Sequence, residues 1–488
     1  MSRSSLLVPL IVGCAQFMQM LDATIITTAL PAMAQSLGSD PVRLNSAITT
    51  YLLSLAIFIP VSGWAADRFG ARTVFASAIA LFTLSSLMCG GAQSLPELVA
   101  ARILQGAGGA LMVPVGRLLV LKTVPKSDLV QAMNTLSMPA MLGPVLGPPV
   151  GGLIVTYGSW RWIFLMNLPM GILGIALVLW FIPNIREEAQ RPLDWPGFLL
   201  AALAMAGCVF GFESIGRGLL PNWAVLALLL AGGLGAALLI RHSRRAKMPL
   251  VDLALLRLPT FAAGTVGGGL FRMTIGASPF LLALLLQVVF GLSPLASGLI
   301  TFTSALAAFI MRMTVHRLLR AFGFRRVLLV NAVVTVLFLF SYALFEASTP
   351  HLVIIAVLVS GGFFRSIHFS SLASLSFADV PQPAMSRANS FLQMSQQLAQ
   401  SIGVGIAALI LHLSLTWHGR TQLAQSDVAI AFIAVGLISV LQLFYYWRLP
   451  HSAGSELSGR SAAAEAYRSG APTPPRHRRR PSPGTAPW

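Results

Sequence analysis

Charge is scarce in this chain of 488 residues. Asp, Glu, Lys and Arg together make up 10% of it, and 56% is hydrophobic. A soluble domain carries about 25% charged residues, so the shortage excludes a water-soluble fold and indicates an integral membrane protein. Acid is scarcer still: 15 Asp and Glu stand against 33 Lys and Arg, a formal charge of +18. Strict apolar–polar alternation is missing too. The apolar segments are continuous, which excludes a transmembrane β-barrel and leaves an all-α membrane fold. Cys14, Cys89 and Cys208 are scattered through apolar segments without pairing or metal-ligand spacing, so they read as packing residues. His412 and His418 lack a ligand partner at metal spacing. No metal or cofactor is expected, and with no nucleophile–base constellation the chain is not expected to be an enzyme.

Glycine (43) and proline (30) are plentiful, as suits packed and broken transmembrane helices. Fourteen apolar spans are expected at about 7–34, 44–66, 73–94, 97–121, 131–157, 161–182, 195–214, 222–241, 260–290, 294–314, 327–346, 350–376, 387–416 and 427–448. The loops sharing a side with the N-terminus, plus that terminus, hold seventeen Lys and Arg; the opposite loops hold Arg43, Arg161, Arg217 and Arg420. That asymmetry places both termini in the cytoplasm and explains the positive charge without nucleic acid. Ala32-Met33-Ala34 mimics a signal-peptide cleavage site, but the apolar run before it is too long, and an uncleaved first span is the better reading. After Pro450 the chain turns to Ser, Ala, Gly and Pro with Arg476 and Arg478-Arg479-Arg480, a disordered basic tail. It reads as a topology anchor, with anionic lipid or nucleic acid as the alternative ligands.

The chain is organised around Leu21-Asp22-Ala23-Thr24-Ile25-Ile26-Thr27-Thr28-Ala29-Leu30-Pro31. Asp22 lies near the middle of the first span, where a charge costs about 2.5–3.5 kcal/mol and must meet a partner or a wet cavity. Arg102, in span 4, is the counter-charge. The two sit at depths about 8 Å apart at 1.5 Å per residue, a gap that a long arginine side chain closes. Phe69-Gly70-Ala71-Arg72 after span 2 is echoed by Phe322-Gly323-Phe324-Arg325 after span 10. Spans 1–6 and 9–14 therefore read as two halves around a central site, with spans 7 and 8 inserted, the plan of many transporters. The corresponding divisions are 1–182, 183–259, 260–449 and the tail 450–488.

Several motifs carry a family resemblance. Gly63-Trp64-Ala65-Ala66-Asp67-Arg68-Phe69-Gly70-Ala71-Arg72 supplies turn glycines, a carboxylate suited to a helix N-terminus and arginines able to latch onto carboxylates. It resembles the signature loop of the major facilitator superfamily, departing at Ala71, where a second basic residue is usual. Arg102-Ile103-Leu104-Gln105-Gly106-Ala107-Gly108-Gly109 is similar to that family's second motif, whose arginine is implicated in proton transfer. Gly143-Pro144-Val145-Leu146-Gly147-Pro148-Pro149-Val150-Gly151-Gly152 has glycine at every fourth position, leaving one helix face nearly bare; it resembles the family's antiporter motif, with Asn134 replacing an upstream glycine. The opening stretch, with Thr27 where asparagine is usual, resembles the fourteen-span drug:proton antiporters. Trp160-Arg161-Trp162-Ile163-Phe164 with Asn167 and Pro169, and Pro249-Leu250-Val251-Asp252-Leu253, fit the same family. The bland alternatives are a positive-inside loop, a structural ion pair and ordinary small-residue packing.

The resemblance implies a proton-coupled exporter of small amphiphilic compounds in a bacterial inner membrane, working as a monomer. Asp22 and Arg102 would couple the proton. Gly63, Asp67, Arg68, Gly70 and Arg72 would form the gating loop, and Gly143, Gly147, Pro148, Gly151 and Gly152 the antiporter helix. Its partners are a small-molecule substrate, protons and the lipid bilayer. One feature departs from a pump for organic cations. With Glu213 and Glu346 near outer span ends, Asp22 is the one mid-membrane acid, against Arg102, Arg272 and Arg365 within spans and Arg117 and Arg312 nearer the cytoplasmic ends. Arg272, Arg365, Gln393 and Gln397 are expected in a substrate cavity, with His368, Gln396 and Gln400 as further candidates. Deep arginines suit an anionic or neutral substrate, so an exporter of anionic metabolites or chelates stands as the alternative. An inward proton symporter and a non-transporting sensor with the basic tail as its output are the remaining rivals.

Overall fold

A computed structural model describes residues 3–38, 41–125, 128–184, 192–215, 220–292, 294–311, 315–420 and 422–455. Each expected span is helical. They are α1 (Arg3–Ser36), α2 (Pro41–Phe58, continued through a 3-10 turn Ile59–Val61 into Ser62–Phe69), α3 (Ala71–Gly91) and α4 (Leu95–Thr123). Next come α5 (Leu129–Tyr157), α6 (Asn167–Phe181, after a short turn Trp162–Leu165), α7 (Trp195–Ser214) and α8 (Asn222–Arg245). The series ends with α9 (Pro259–Val289), α10 (Pro294–Met311, then Val315–Phe322), α11 (Phe324–Ala343), α12 (His351–Leu375), α13 (Met385–Trp417) and α14 (Gln425–Trp447). Among the described residues there is no strand. Twelve of the helices are long and apolar enough to cross a membrane over described residues; α5 and α10 complete the fourteen and run partly over residues whose side chains are not described.

Helix pairing repeats between the two halves. In the first, α1 lies along α5, α2 along α4 and α3 along α6; in the second, α9 lies along α13, α10 along α12 and α11 along α14. The inserted helices α7 and α8 pack on each other, and α7 also touches α2 and α13, one from each half. Gly70 (φ +90°) and Gly323 (φ +77°) sit at equivalent turns after α2 and α10, a backbone region that disfavours side chains. The repeated Phe-Gly pair in the sequence is thus one turn used twice.

Large apolar side chains stand exposed along the helices, including Leu84, Leu153, Ile172, Trp180, Leu230 and Leu337. On a soluble monomer such a belt would be an aggregation surface; on helices of this length it meets lipid. Cys89 and Cys208 are buried as packing residues, whereas Cys14 is exposed: it lies on the outward side of α1 and packs no core. The basic tail from residue 456, the linker residues 185–191, Arg217 and Arg312 lie outside the described residues, as do the side chains of Thr27, Pro148 and Glu213.

Candidate transport site

Asp22 and Arg102 meet. Arg102 Nη1 donates to Asp22 Oδ2 at 2.6 Å, with both side chains fully buried. Asp22 Oδ1 accepts from Gln105 Nε2 at 3.0 Å and Asn167 Nδ2 at 3.1 Å. Both amides also donate to Ser86 Oγ, at 2.6 and 3.1 Å. Arg102 further donates through Nε to the Ala47 carbonyl at 3.3 Å and through Nη1 to Gln105 Oε1 at 2.6 Å. Its guanidinium lies over the Tyr51 ring at 4.2 Å, a favourable cation–π distance. Helical spacing explains the local order, since Arg102 and Gln105 are three residues apart and share a face of α4. Burial of a charge is tolerable only when it is paired and hydrogen-bonded, and here α1, α3, α4 and α6 each contribute a partner.

Between the halves lies a cavity of about 670 Å³, a drug-sized volume. Arg272, Arg365, Gln393 and Gln397 all stand on its wall, joined by Arg117, Gln396 and Gln400. The glutamines at 393, 396, 397 and 400 follow the i, i+3, i+4, i+7 rule, which lays them on one stripe of α13. Gln16, Gln19, Met20 and Ala23 do the same on α1. Asp22 falls between the last two and points away, into the buried network. Tyr51 belongs to both places: its ring lines the cavity and carries the Arg102 guanidinium. His368 is not on this wall; it is buried against Phe271 and holds the Tyr446 hydroxyl at 2.9 Å through Nε2.

The expected gating loop sits where the halves touch. Asp67 is bonded by Lys122 Nζ of α4 at 3.2 Å and by Ser386 Oγ, in the first turn of α13. Gly63 N–H donates to Ser390 Oγ at 2.9 Å, Ser62 and Ser390 hydroxyls lie 3.1 Å apart, and Asn389 Nδ2 donates to the Pro114 carbonyl at 2.7 Å. A Cβ on Gly63 would come within 2.7 Å of the Ser386 carbonyl, so glycine permits the contact between halves. Gly70 shapes the turn against Asn184, Arg68 is half-buried, and Arg72 is half-buried with its Nε lacking an acceptor. Arg387 of α13 pairs with Asp252 at 2.7 Å, tying the linker after α8 to the same point.

In α5, Gly143 lies against Met20 and Leu21, and Gly147 against Thr24, whose hydroxyl also reaches the Gly143 carbonyl at 3.4 Å. Gly151 is buried, while a Cβ on Gly152 would meet open space. Sequence reasoning did not assign Lys122, Ser386, Ser390 and Asn389 to the loop, nor Arg117 to the cavity. For Arg117 a signal existed: Gly109, Val113 and Arg117 recur every fourth residue on one stripe of α4.

Comparison with known proteins accords with this architecture. The Major Facilitator Superfamily model matches residues 12–404 and 264–482. The chain is 40% identical over 449 residues to a protein of Cronobacter sakazakii named "Putative multidrug resistance protein MdtD", covering 90% of this chain and 94% of that one. It is 40% identical over 453 residues to the Klebsiella pneumoniae protein of the same name, covering 91% and 95%. Among solved structures, the human organic anion transporter MFSD10 (TETRAN) superposes with a TM-score of 0.63 at 16% identity, over 91% of this chain and 99% of that one. The proton:xylose symporter XylE superposes at 0.64 and 16%, over 94% and 99%, so these two speak for the fold. With paired six-helix halves, a central cavity and a family match along most of its length, this chain belongs to the major facilitator superfamily of membrane transporters.

Proposed function

We propose that the chain is a proton-coupled exporter of small amphiphilic compounds, a drug:proton antiporter of the bacterial inner membrane with both termini in the cytoplasm. The observation that carries this reading is the pairing of Asp22 with Arg102 behind Tyr51. Protonating Asp22 removes the charge that holds Arg102 Nη1 and leaves the guanidinium leaning on the Tyr51 ring, which forms part of the cavity wall. Occupancy of the cavity and protonation of Asp22 therefore act on one side chain. The multidrug name of the relatives points the same way. The hydrogen bonds of Gly63, Asp67 and Asn389 hold the halves together at the basic face, and α5, its glycines pressed on α1, serves as the rigid support beside the cavity. One chain builds the whole cavity, which suits a monomer. Neither nucleic acid nor a cofactor has a role in this cycle.

A second reading rests on the same network. A carboxylate held by three donors is also what a purely structural staple looks like. Purified protein in proteoliposomes, with an imposed pH gradient and a panel of amphiphilic dyes, separates the two. Gradient-driven accumulation that a protonophore abolishes, and that Asp22→Asn loses, supports coupling through Asp22. Accumulation undiminished in Asp22→Asn makes the pair structural.

A further inference from the structure

The polar lining of the cavity is one-sided. Arg117, Arg272 and Arg365 stand on its wall, and among the described lining residues there is no Asp or Glu. Two of these cations are held by the protein. Arg272 donates to Gln396 Oε1 at 2.8 Å and lies over the Phe369 ring at 4.5 Å, and Arg365 donates to Ser304 Oγ at 3.1 Å. Arg117 differs. It is only 7% exposed, and its Nε and Nη1 are buried with no hydrogen-bond acceptor. A guanidinium cannot shed its proton, and a buried charge without a counter-ion is costly unless something else supplies the acceptor. Arg117 lies three residues beyond Pro114, whose carbonyl is tied to Asn389 of the second half. The rest of the wall includes Met20, Leu52, Leu55, Val113 and Ile275, which suit an apolar body.

We propose that this cavity binds an amphiphilic organic anion, its carboxylate seated on Arg117 of the first half while Arg272 and Arg365 face it from the second. The inference rests on the export reading only in taking the bound compound as cargo. Three like charges disfavour a lipophilic cation, and a carboxylate supplies Arg117 with a charged acceptor that its unmet donors lack. Because the arginines come from both halves, the anion draws the halves toward each other, whereas the empty cavity leaves them repelling.

Carboxyfluorescein and rhodamine 6G test this, since they share a xanthene core and differ in charge. Binding is read by fluorescence anisotropy on detergent-purified protein, with the thermal midpoint of each variant measured alongside. Carboxyfluorescein is expected to bind at least tenfold tighter than rhodamine 6G. Arg117→Gln is expected to weaken it tenfold or more while the thermal midpoint holds or rises, since an uncompensated buried charge is removed; Arg117→Lys retains part of the affinity. Should Arg117→Gln fail to fold, Arg365→Gln, which weakens the anion and not the cation, carries the same test. Tighter binding of rhodamine 6G, or anion affinity unchanged in both Gln variants, overturns the proposal. Proton-driven accumulation of rhodamine 6G that requires Asp22 would overturn it while sparing the export reading. Tight anion binding without proton-driven accumulation would spare this site and sink export.

Discussion

At the scale of single residues, the question is what a buried ion pair does once it has been made. Replacing only one member leaves the other charged in an apolar place, which costs about 3–5 kcal/mol, whereas replacing both with apolar side chains is often neutral. Asp22→Ala and Arg102→Ala are therefore expected to lose stability by that order each. Asp22→Leu combined with Arg102→Met is expected to recover most of it, as read from thermal midpoints in detergent. Additive losses in the double variant would mean that the two residues do not act as a pair. The contact itself was legible in the sequence, because a mid-span acid needs a cation and Arg102 was within reach of its depth. Asn167 and Ser86 were not assigned to the pair, since they arrive from α6 and α3 and nothing in their spacing points to Asp22. The unmet donors of Arg117 were illegible for a related reason: a residue's lack of partners is a property of its surroundings.

At the scale of helices, the glycine ladder of α5 makes a graded prediction. Gly147→Val drives its side chain into Thr24 on α1, and overpacking of this kind costs about 1–3 kcal/mol. Gly152→Ala, facing open space, is expected to leave the thermal midpoint unchanged; equal effects at both sites would contradict the packing. The turn after α2 gives a second prediction. Removing the Asn389 side chain takes a donor from the Pro114 carbonyl, so Asn389→Ala is expected to raise amide exchange in Ser62–Phe69 and the first turns of α13. Unchanged exchange there would show that other contacts hold the halves. The linker after α8 responds to pH. Burial pushes the Asp194 carboxyl up, but bonds from the Gly197 and Leu250 N–H groups and His242 outweigh it and hold it below the usual carboxylate range. A depressed carboxyl contributes stability above its unfolded value near pH 4, and that contribution fades as pH falls through the folded value. Protection of the Leu250 amide is thus expected at about pH 5–7 and fades only as pH falls through the depressed folded value, below the usual carboxylate range, whereas Asp194→Ala exposes it throughout; equal protection of wild type and Asp194→Ala at about pH 6 would refute the anchor. The helices, their order and the repeated Phe-Gly turn were readable from hydropathy and punctuation. The contacts across the gate were not, because Ser386, Asn389 and Ser390 look like ordinary polar residues until α13 is placed beside α2.

At the scale of the whole molecule, the halves face each other across a basic cavity, while the acid that would sense protons lies buried within the first half. Membrane potential then treats cargo classes differently. Each elementary charge moved across the bilayer is worth about 2.3 kcal/mol per 100 mV. For a neutral compound exchanged against one inward proton, that supports roughly a fortyfold gradient. A cation exported for one proton gains nothing from the potential, whereas an exported anion moves charge in the favourable sense together with the proton. The central claim is that occupancy of the cavity and protonation of Asp22 are linked through the wall they share at Tyr51. Linkage is reciprocal, so it can be read without transport. In weakly buffered detergent solution, the protons released when a bound compound enters the cavity are counted with a pH indicator, for wild type and Asp22→Asn. The account predicts release of up to one proton per site in the wild type and none in the variant, with binding retained. Equal release from both proteins, or binding without release in the wild type, would contradict it.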